Sequence, residues 1–179
     1  TSPEEAWDTA QAFARFTAAF DQFNPEQLHR VIPDFHDLSF RFDQFTQYLG
    51  QASAERKQKA KDIIEELLAR VPYKNFYDRI KKSPDDFILR VMHHDAKIAN
   101  VLFHHQTGKI ICAVDFDTVM PGHYFSDLGD LIRSMACSQD EASVHFDQIE
   151  IRPSFYEALL TGYQTVMDPL LTPDRKSTR

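Results

Sequence analysis

The chain carries two cysteines, five glycines and one tryptophan in 179 residues. Cys112 and Cys137 show no metal-ligand spacing and are too few for a disulfide framework, which excludes a disulfide-stapled fold and a thiolate metal site. Both lie among apolar neighbours and are expected to be reduced core residues. The glycines, Gly50, Gly108, Gly122, Gly129 and Gly162, are nowhere arranged as G-x-G-x-x-G. Long apolar runs are lacking too. Nothing approaches the ~20 residues that cross a bilayer, and no basic segment followed by an apolar one opens the chain, so the expectation is no membrane association and a cytoplasmic setting. Basic charge is in deficit, with 20 Lys and Arg against 27 Asp and Glu and a net charge of -7. That balance argues against a surface built for nucleic acid and still permits a local cationic spot for phosphate.

What is present is an ordinary globular composition, 42% hydrophobic and 26% charged, with length enough for one domain and a real core. Ser2, Pro3 and Glu5 form a helix-start signature, and Trp7, Ala10, Phe13, Ala14, Thr17 and Phe20 then recur at helical steps until Asn24 and Pro25 break the pattern. Asp37 is placed to cap a helix bearing Leu38, Phe42, Phe45 and Leu49, with Gly50 ending it. Ser53 to Val71 is expected to be one helix, striped by Ala60, Ile63, Ile64, Leu67, Leu68 and Val71 and stopped by Pro72. Tyr73, Phe76, Tyr77 and Ile80 suggest a short further helix. From Phe87 the period changes. Phe87 to Met92 is strand-like, and Val101 to His105, a Gln-Thr-Gly turn and Lys109 to Val114 predict a hairpin closing at Gly108. Ser126 or Asp127 opens a helix through Leu128, Leu131, Ile132 and Met135. After a polar loop around Gln139 to Glu141, Pro153 begins a last helix with Phe155, Tyr156, Leu159, Leu160 and Tyr163.

The segment from Val91 to Arg133 concentrates acids, amides and histidines between these apolar runs, each run delivering a polar cluster at its carboxyl end. His93, Asp95, Lys97 and Asn100 stand as H-x-D-x-K-x-x-N, with Asp115 following after a hairpin-length gap. The pattern resembles the catalytic loop and metal-binding aspartate of protein-kinase-like phosphotransferases. The physical case for those residue types is independent. A hydroxyl attacking a γ-phosphate needs a carboxylate to orient it and take its proton, which suits Asp95. Magnesium takes anionic and neutral oxygens, which suits Asp115 and Asn100. Lys97 is placed to offset charge on the transferring group, and His93 to fix the loop through hydrogen bonds.

Val114 to Gly122 (VDFDTVMPG), Phe125 to Arg133 (FSDLGDLIR) and the upstream Val31 to His36 (VIPDFH) and Arg41-Phe42 resemble the N-acetylhexosamine 1-kinase branch of the aminoglycoside and choline kinase-like phosphotransferases. The likeness runs from about His29 to Arg133. It implies transfer of the ATP γ-phosphate, with Mg2+, to a sugar hydroxyl, typically the anomeric one of an N-acetylhexosamine. It also implies Asp95 as base, Asn100 and Asp115 as metal ligands, and Asp127 as the aspartate bracing the catalytic loop. Asp117 and Asp130 are open between helix capping and sugar contact, and Asp130 with Arg133 makes a helical ion pair. His36, Arg41 and Asp117 are candidate acceptor contacts.

The implied fold is α+β and mainly helical, the carboxyl-terminal lobe of a protein-kinase-like fold with a short β-hairpin at the catalytic loop. Neither a glycine-rich phosphate loop nor a V-A-I-K-like strand is present. Residues 1–179 are therefore expected to be the catalytic-loop and substrate-binding lobe of a longer chain, inactive without an amino-terminal ATP-covering lobe. The expected partners are ATP and a small sugar, without nucleic acid; nothing in the sequence points to an oligomeric state. Three alternatives stand beside this. One is a kinase for aminoglycosides or choline. Another is an HD-type metal-dependent phosphohydrolase using His94 and Asp95 with His93, His104, His105, Asp115 and His123, although such a pair belongs on a helix and here follows a strand-like run. The third is a binding module that has lost transfer.

Overall fold

The computed structural model describes residues 2–140 and 142–171, so Glu141 of the polar loop and the end of the chain lie outside the described residues. Within them the architecture is α+β and mainly helical, with two antiparallel two-stranded sheets. No described helix is long and apolar enough to cross a membrane. The chain divides into two compact units, one of Thr1–Val31 with Ile88–Arg179 and one of Ile32–Phe87.

In the first unit, α1 (Pro3–Ala19) starts in the expected capping box: the Glu5 amide donates to Ser2 Oγ at 3.1 Å and the Ser2 amide to Glu5 Oε2 at 2.7 Å. Ala6, Ala10, Phe13, Ala14 and Thr17 are buried along one face, whereas Phe20, expected on that face, caps the helix and is 40% exposed. The helix thus ends before Asn24 and Pro25. The buried face packs on α7 (Pro153–Met167), whose Phe155, Leu159, Tyr163 and Met167 complete the core with Leu131 and Met135. Burying a large apolar side chain of this kind contributes roughly 1.5–3 kcal/mol. Close approach depends on Gly162, where a Cβ would lie 2.5 Å from the Trp7 carbonyl oxygen.

The expected strand from Phe87 is shorter. β1 (Arg90–Met92) pairs with β4 (Met120–Gly122), while β2 (Val101–Phe103) pairs with β3 (Ile110–Ala113) in the predicted hairpin. Gly108 closes that hairpin with φ 67, the left-handed conformation glycine tolerates. β4 escaped the sequence pattern because Met-Pro-Gly lacks alternation, and Pro121 is accommodated because a two-stranded sheet has a free edge on either side. That openness also corrects the placement of the cysteines. Both thiols are free, but Cys112 on β3 is exposed and Cys137 half-buried, so neither is a core residue. α6 (Phe125–Leu131) begins one residue before Ser126, with no side-chain cap, and runs into a π turn, Ile132–Ala136. Asp130 and Arg133 form the expected ion pair at 3.5 Å.

In the second unit, Asp37 caps α2 (Leu38–Gln51) by accepting from the Phe40 amide at 2.9 Å. Gly50 lies inside the helix and does not end it. The single helix expected over Ser53 to Val71 is two, α3 (Ala54–Lys59) and α4 (Lys61–Leu68), broken at Ala60 with φ -105 and ψ 15. Pro72 does not stop a helix. It occupies the first turn of α5 (Val71–Lys81), where its missing N–H has no partner to lose. The apolar residues Ile63, Ile64, Leu67 and Leu68 stay in phase within α4, but the stripe is not buried: Ile63 is 65% exposed, and Leu67 and Leu68 are exposed with it. α2 and α5 are tied by Ser39 donating to Asp78 and by Lys81 with Asp37 at 2.5 Å.

Candidate active site

β1 hands the chain to a loop, His93 to Lys97, and a 3-10 turn, Ile98–Asn100, that leads into β2. Two consecutive amides of this loop converge on one side chain: His93 N donates to Asp127 Oδ2 at 2.9 Å and His94 N to Asp127 Oδ1 at 2.8 Å. Successive N–H groups facing one anion form a nest, and His94 is left-handed, φ 65. Asp127 itself is fully buried on α6, and burial pushes its carboxyl up to about 6 against the lowering effect of the two amides and of His93.

His93 is fully buried and engaged at every polar atom. Besides its amide, Nδ1 accepts from the Asp95 amide at 3.3 Å, which leaves Nε2 to donate to the Val114 carbonyl at 2.9 Å, and its own carbonyl accepts from Thr118 Oγ1 at 2.7 Å. Phe13, Phe16 and Phe116 meet its ring edge to face. His94 packs over Gly122 so closely that a Cβ there would overlap its ring, and its Nε2 lies 3.3 Å from the Pro121 carbonyl.

Asp95 is held between two donors, Lys97 Nζ at 2.9 Å and Asn100 Nδ2 at 2.8 Å from the same Oδ2. Partial burial raises its carboxyl, but the Lys97 and Asn100 hydrogen bonds and the Lys97 charge outweigh it, so the group stays below the usual carboxylate range. Asn100 Nδ2 also donates to the Asp95 carbonyl at 2.9 Å, which directs its amide oxygen away from Asp95. Val114 N donates to the Asn100 carbonyl at 2.9 Å, so Asp115, the next residue, follows directly on this link between the two strand ends. Asp115 is exposed, left-handed at φ 67, and opens a 3-10 turn, Phe116–Thr118.

The donor chemistry fits magnesium, because an amide oxygen and an exposed carboxylate are hard oxygen ligands of the kind that hold this ion together with phosphates. It does not fit the HD alternative. No group of three or more His, Cys, Asp or Glu among the described residues is placed to hold a metal ion, and His93 and His94 are buried with Nε2 on backbone carbonyls. His104 and His105 pack edge to face in the hairpin turn, and His123 stacks on Phe125.

His93, Asp95, Lys97, Asn100, Asp115 and Asp127 therefore belong to one bonded constellation or its immediate neighbours. Asp117 is exposed on the same turn as Asp115. His36 and Arg41 belong to the second unit, where Arg41 donates to Gln44 Oε1 at 3.1 Å and lies over the Phe40 ring, and His36 packs against Phe35. Sequence reasoning passed over Thr118 and Gly122: a hydroxyl three residues after an aspartate carries no signal of its own, and a glycine demanded by a neighbouring ring is invisible without coordinates. A comparison with protein-family models matches residues 1–174 to the phosphotransferase enzyme family, APH. The match takes in both units and the whole of the constellation around Asp95, and the chain belongs to that family.

Proposed function

We propose that the protein takes part in ATP- and magnesium-dependent transfer of a γ-phosphoryl group to a sugar hydroxyl, the anomeric position of an N-acetylhexosamine or related sugar. The observation that carries this is the Asp95 carboxylate, kept ionised between Lys97 and Asn100 at the end of β1. Asp95 accepts a hydrogen bond from the acceptor hydroxyl and aims its oxygen at the γ-phosphorus. As the new O–P bond forms, the bond to the β–γ bridging oxygen breaks, ADP leaves, and the hydroxyl proton passes to Asp95. A carboxylate held below its usual range is a weak base before that moment, which suits a loose transition state in which the proton moves late. Lys97 is two residues on and offsets charge at the transferring group. Asn100 and Asp115 would hold magnesium, which when bound neutralises charge on the phosphate oxygens.

The sugar assignment draws support from the VDFDTVMPG and FSDLGDLIR segments, and the lobe assignment from composition of the fold. Among the described residues there are only two two-stranded sheets, and the sequence has neither a glycine-rich phosphate loop nor a V-A-I-K-like strand. We assign residues 1–179 to the catalytic-loop lobe, the nucleotide-covering elements lying elsewhere in the active protein. Asp117 is assigned to acceptor contact, and the parts of His36 and Arg41 are read from the acceptor KM of their alanine variants. The deciding test is a transfer screen of the active protein against N-acetylhexosamines, neutral hexoses, choline and aminoglycosides, with Asp95→Asn alongside. Preference for choline or an aminoglycoside would overturn the sugar assignment, and equal turnover by Asp95→Asn would overturn the base.

A further inference from the structure

The two clusters of the site leave different sheets. Asp95 follows β1, which pairs with β4, and Asp115 follows β3, which pairs with β2. No common strand ladder fixes the distance between them, so something else must. The segment that joins the two ladders is Val114 to Thr118, and both of its ends are bonded to one residue. The Val114 carbonyl accepts from His93 Nε2 at 2.9 Å, and Thr118 Oγ1 donates to the His93 carbonyl at 2.7 Å. Asp115 therefore sits inside a closed loop anchored on His93, two residues before Asp95. The left-handed turn at Asp115 followed by the 3-10 turn brings the threonine hydroxyl back over the catalytic loop.

We propose that Thr118 is a positioning residue which, through His93, sets Asp115 relative to Asp95 and so tunes metal binding; this rests on the phosphotransfer function above. The bond is specific in kind. The buried His93 carbonyl lies just past the last β1–β4 pair, Met92 with Met120, where no ladder amide continues the register. A valine in place of Thr118 keeps the shape but leaves that carbonyl without the hydroxyl, and a serine keeps the hydroxyl.

The test compares wild type, Thr118→Val, Thr118→Ala and Thr118→Ser in the active protein. Two quantities are read: the Mg2+ concentration giving half-maximal transfer, and direct Mn2+ binding without turnover, followed by loss of the free-ion EPR signal. The valine and alanine variants are expected to raise the half-maximal Mg2+ concentration and to weaken Mn2+ binding, each about 10-fold, and serine to stay within about 2-fold of wild type, in line with groups that orient metal ligands from outside the ligand set. Wild-type metal dependence in both hydroxyl-free variants, or a serine variant as impaired as they are, overturns the inference while Asp115→Ala still abolishes magnesium dependence. Transfer that ignores both magnesium and Asp115→Ala overturns the proposed function and this inference with it. Two hydroxyl-free variants keep the comparison intact if one of them fails to fold.

Discussion

Asp127→Asn is the sharpest probe of how the catalytic loop is held. The side chain is fully buried, and each carboxylate oxygen takes one backbone N–H, from His93 and from His94. Asparagine can accept only one of them; its NH2 must face the other amide, donor against donor. Loss of one charge-assisted bond costs about 1.5–3 kcal/mol, and the amide left unsatisfied about 1–3 kcal/mol more. Against this, the variant no longer buries a charge. Burial is what pushes the wild-type carboxyl up to about 6 from 3.8, so part of the loss is offset. The balance at pH 7.5 is a loss of up to about 3 kcal/mol, or up to roughly 10 °C in Tm for a chain of this length.

The pH dependence has a definite sign. A carboxyl with a raised folded pKa binds its proton more tightly in the folded chain, so its contribution to stability is fully present below the unfolded value of 3.8 and is lost as pH rises to about 6. The asparagine variant lacks this loss. The Tm gap between wild type and variant should therefore be wider at pH 4.5 than at pH 7.5, measured by circular dichroism melts in matched salt. Amide hydrogen exchange at His93 and His94 should also accelerate in the variant. Unchanged exchange at those two amides, or a gap that narrows toward acid pH, would refute the account.

Asp95→Asn should lower kcat of the active protein by about 10²–10⁴ with little change in Tm, since only a partly exposed carboxylate is altered. Because Asp95 stays ionised well into acid, an acid limb of kcat near pH 6 is expected to belong to Asp127 and to disappear from that position in Asp127→Asn. Gly162→Ala gains about 1 kcal/mol of helix propensity but drives a Cβ against the Trp7 backbone. Overpacking costs of about 1–3 kcal/mol should win, and an unchanged or raised Tm would show that α1 and α7 can part without penalty. Gly122→Ala should displace the His94 ring and lower Tm by several degrees, with an altered His94 imidazole signal in NMR as the local readout.

Elements with local signals were legible in the sequence. The Ser2–Glu5 box, the Asp37 cap, Pro153 at a helix start and the Gly108 turn each depend on residues within a few positions of one another. The apolar stripe from Ala60 to Val71 was misleading because periodicity reports which residues share a helix face and not whether anything covers it: Ile63, Leu67 and Leu68 fall on α4 and are exposed. β4 was missed because its partner lies about thirty residues upstream and its own sequence, Met-Pro-Gly, has no strand signal. In the site, Asp95, Lys97 and Asn100 were legible as a cluster because they share one loop and turn. Thr118 was not, since its bond to His93 spans 25 residues.

The backbone around the site explains why so many of its bonds come from outside the loop. His94 and Asp115 are both left-handed without being glycine, a conformation that costs of order 1–3 kcal/mol each and persists only where surrounding contacts over-determine it. At His94 those contacts are the Asp127 carboxylate on two successive amides and the seat of the ring over Gly122. At Asp115 they are the Val114 bonds to Asn100 and His93 on one side and Thr118 on the other. Of the two strained residues, His94 adjoins Asp95 and Asp115 is itself a proposed metal ligand, so the geometry of Asp95 and Asp115 is maintained by α6 and by the turn after β3, and loosening either support should relax the loops before it unfolds the core.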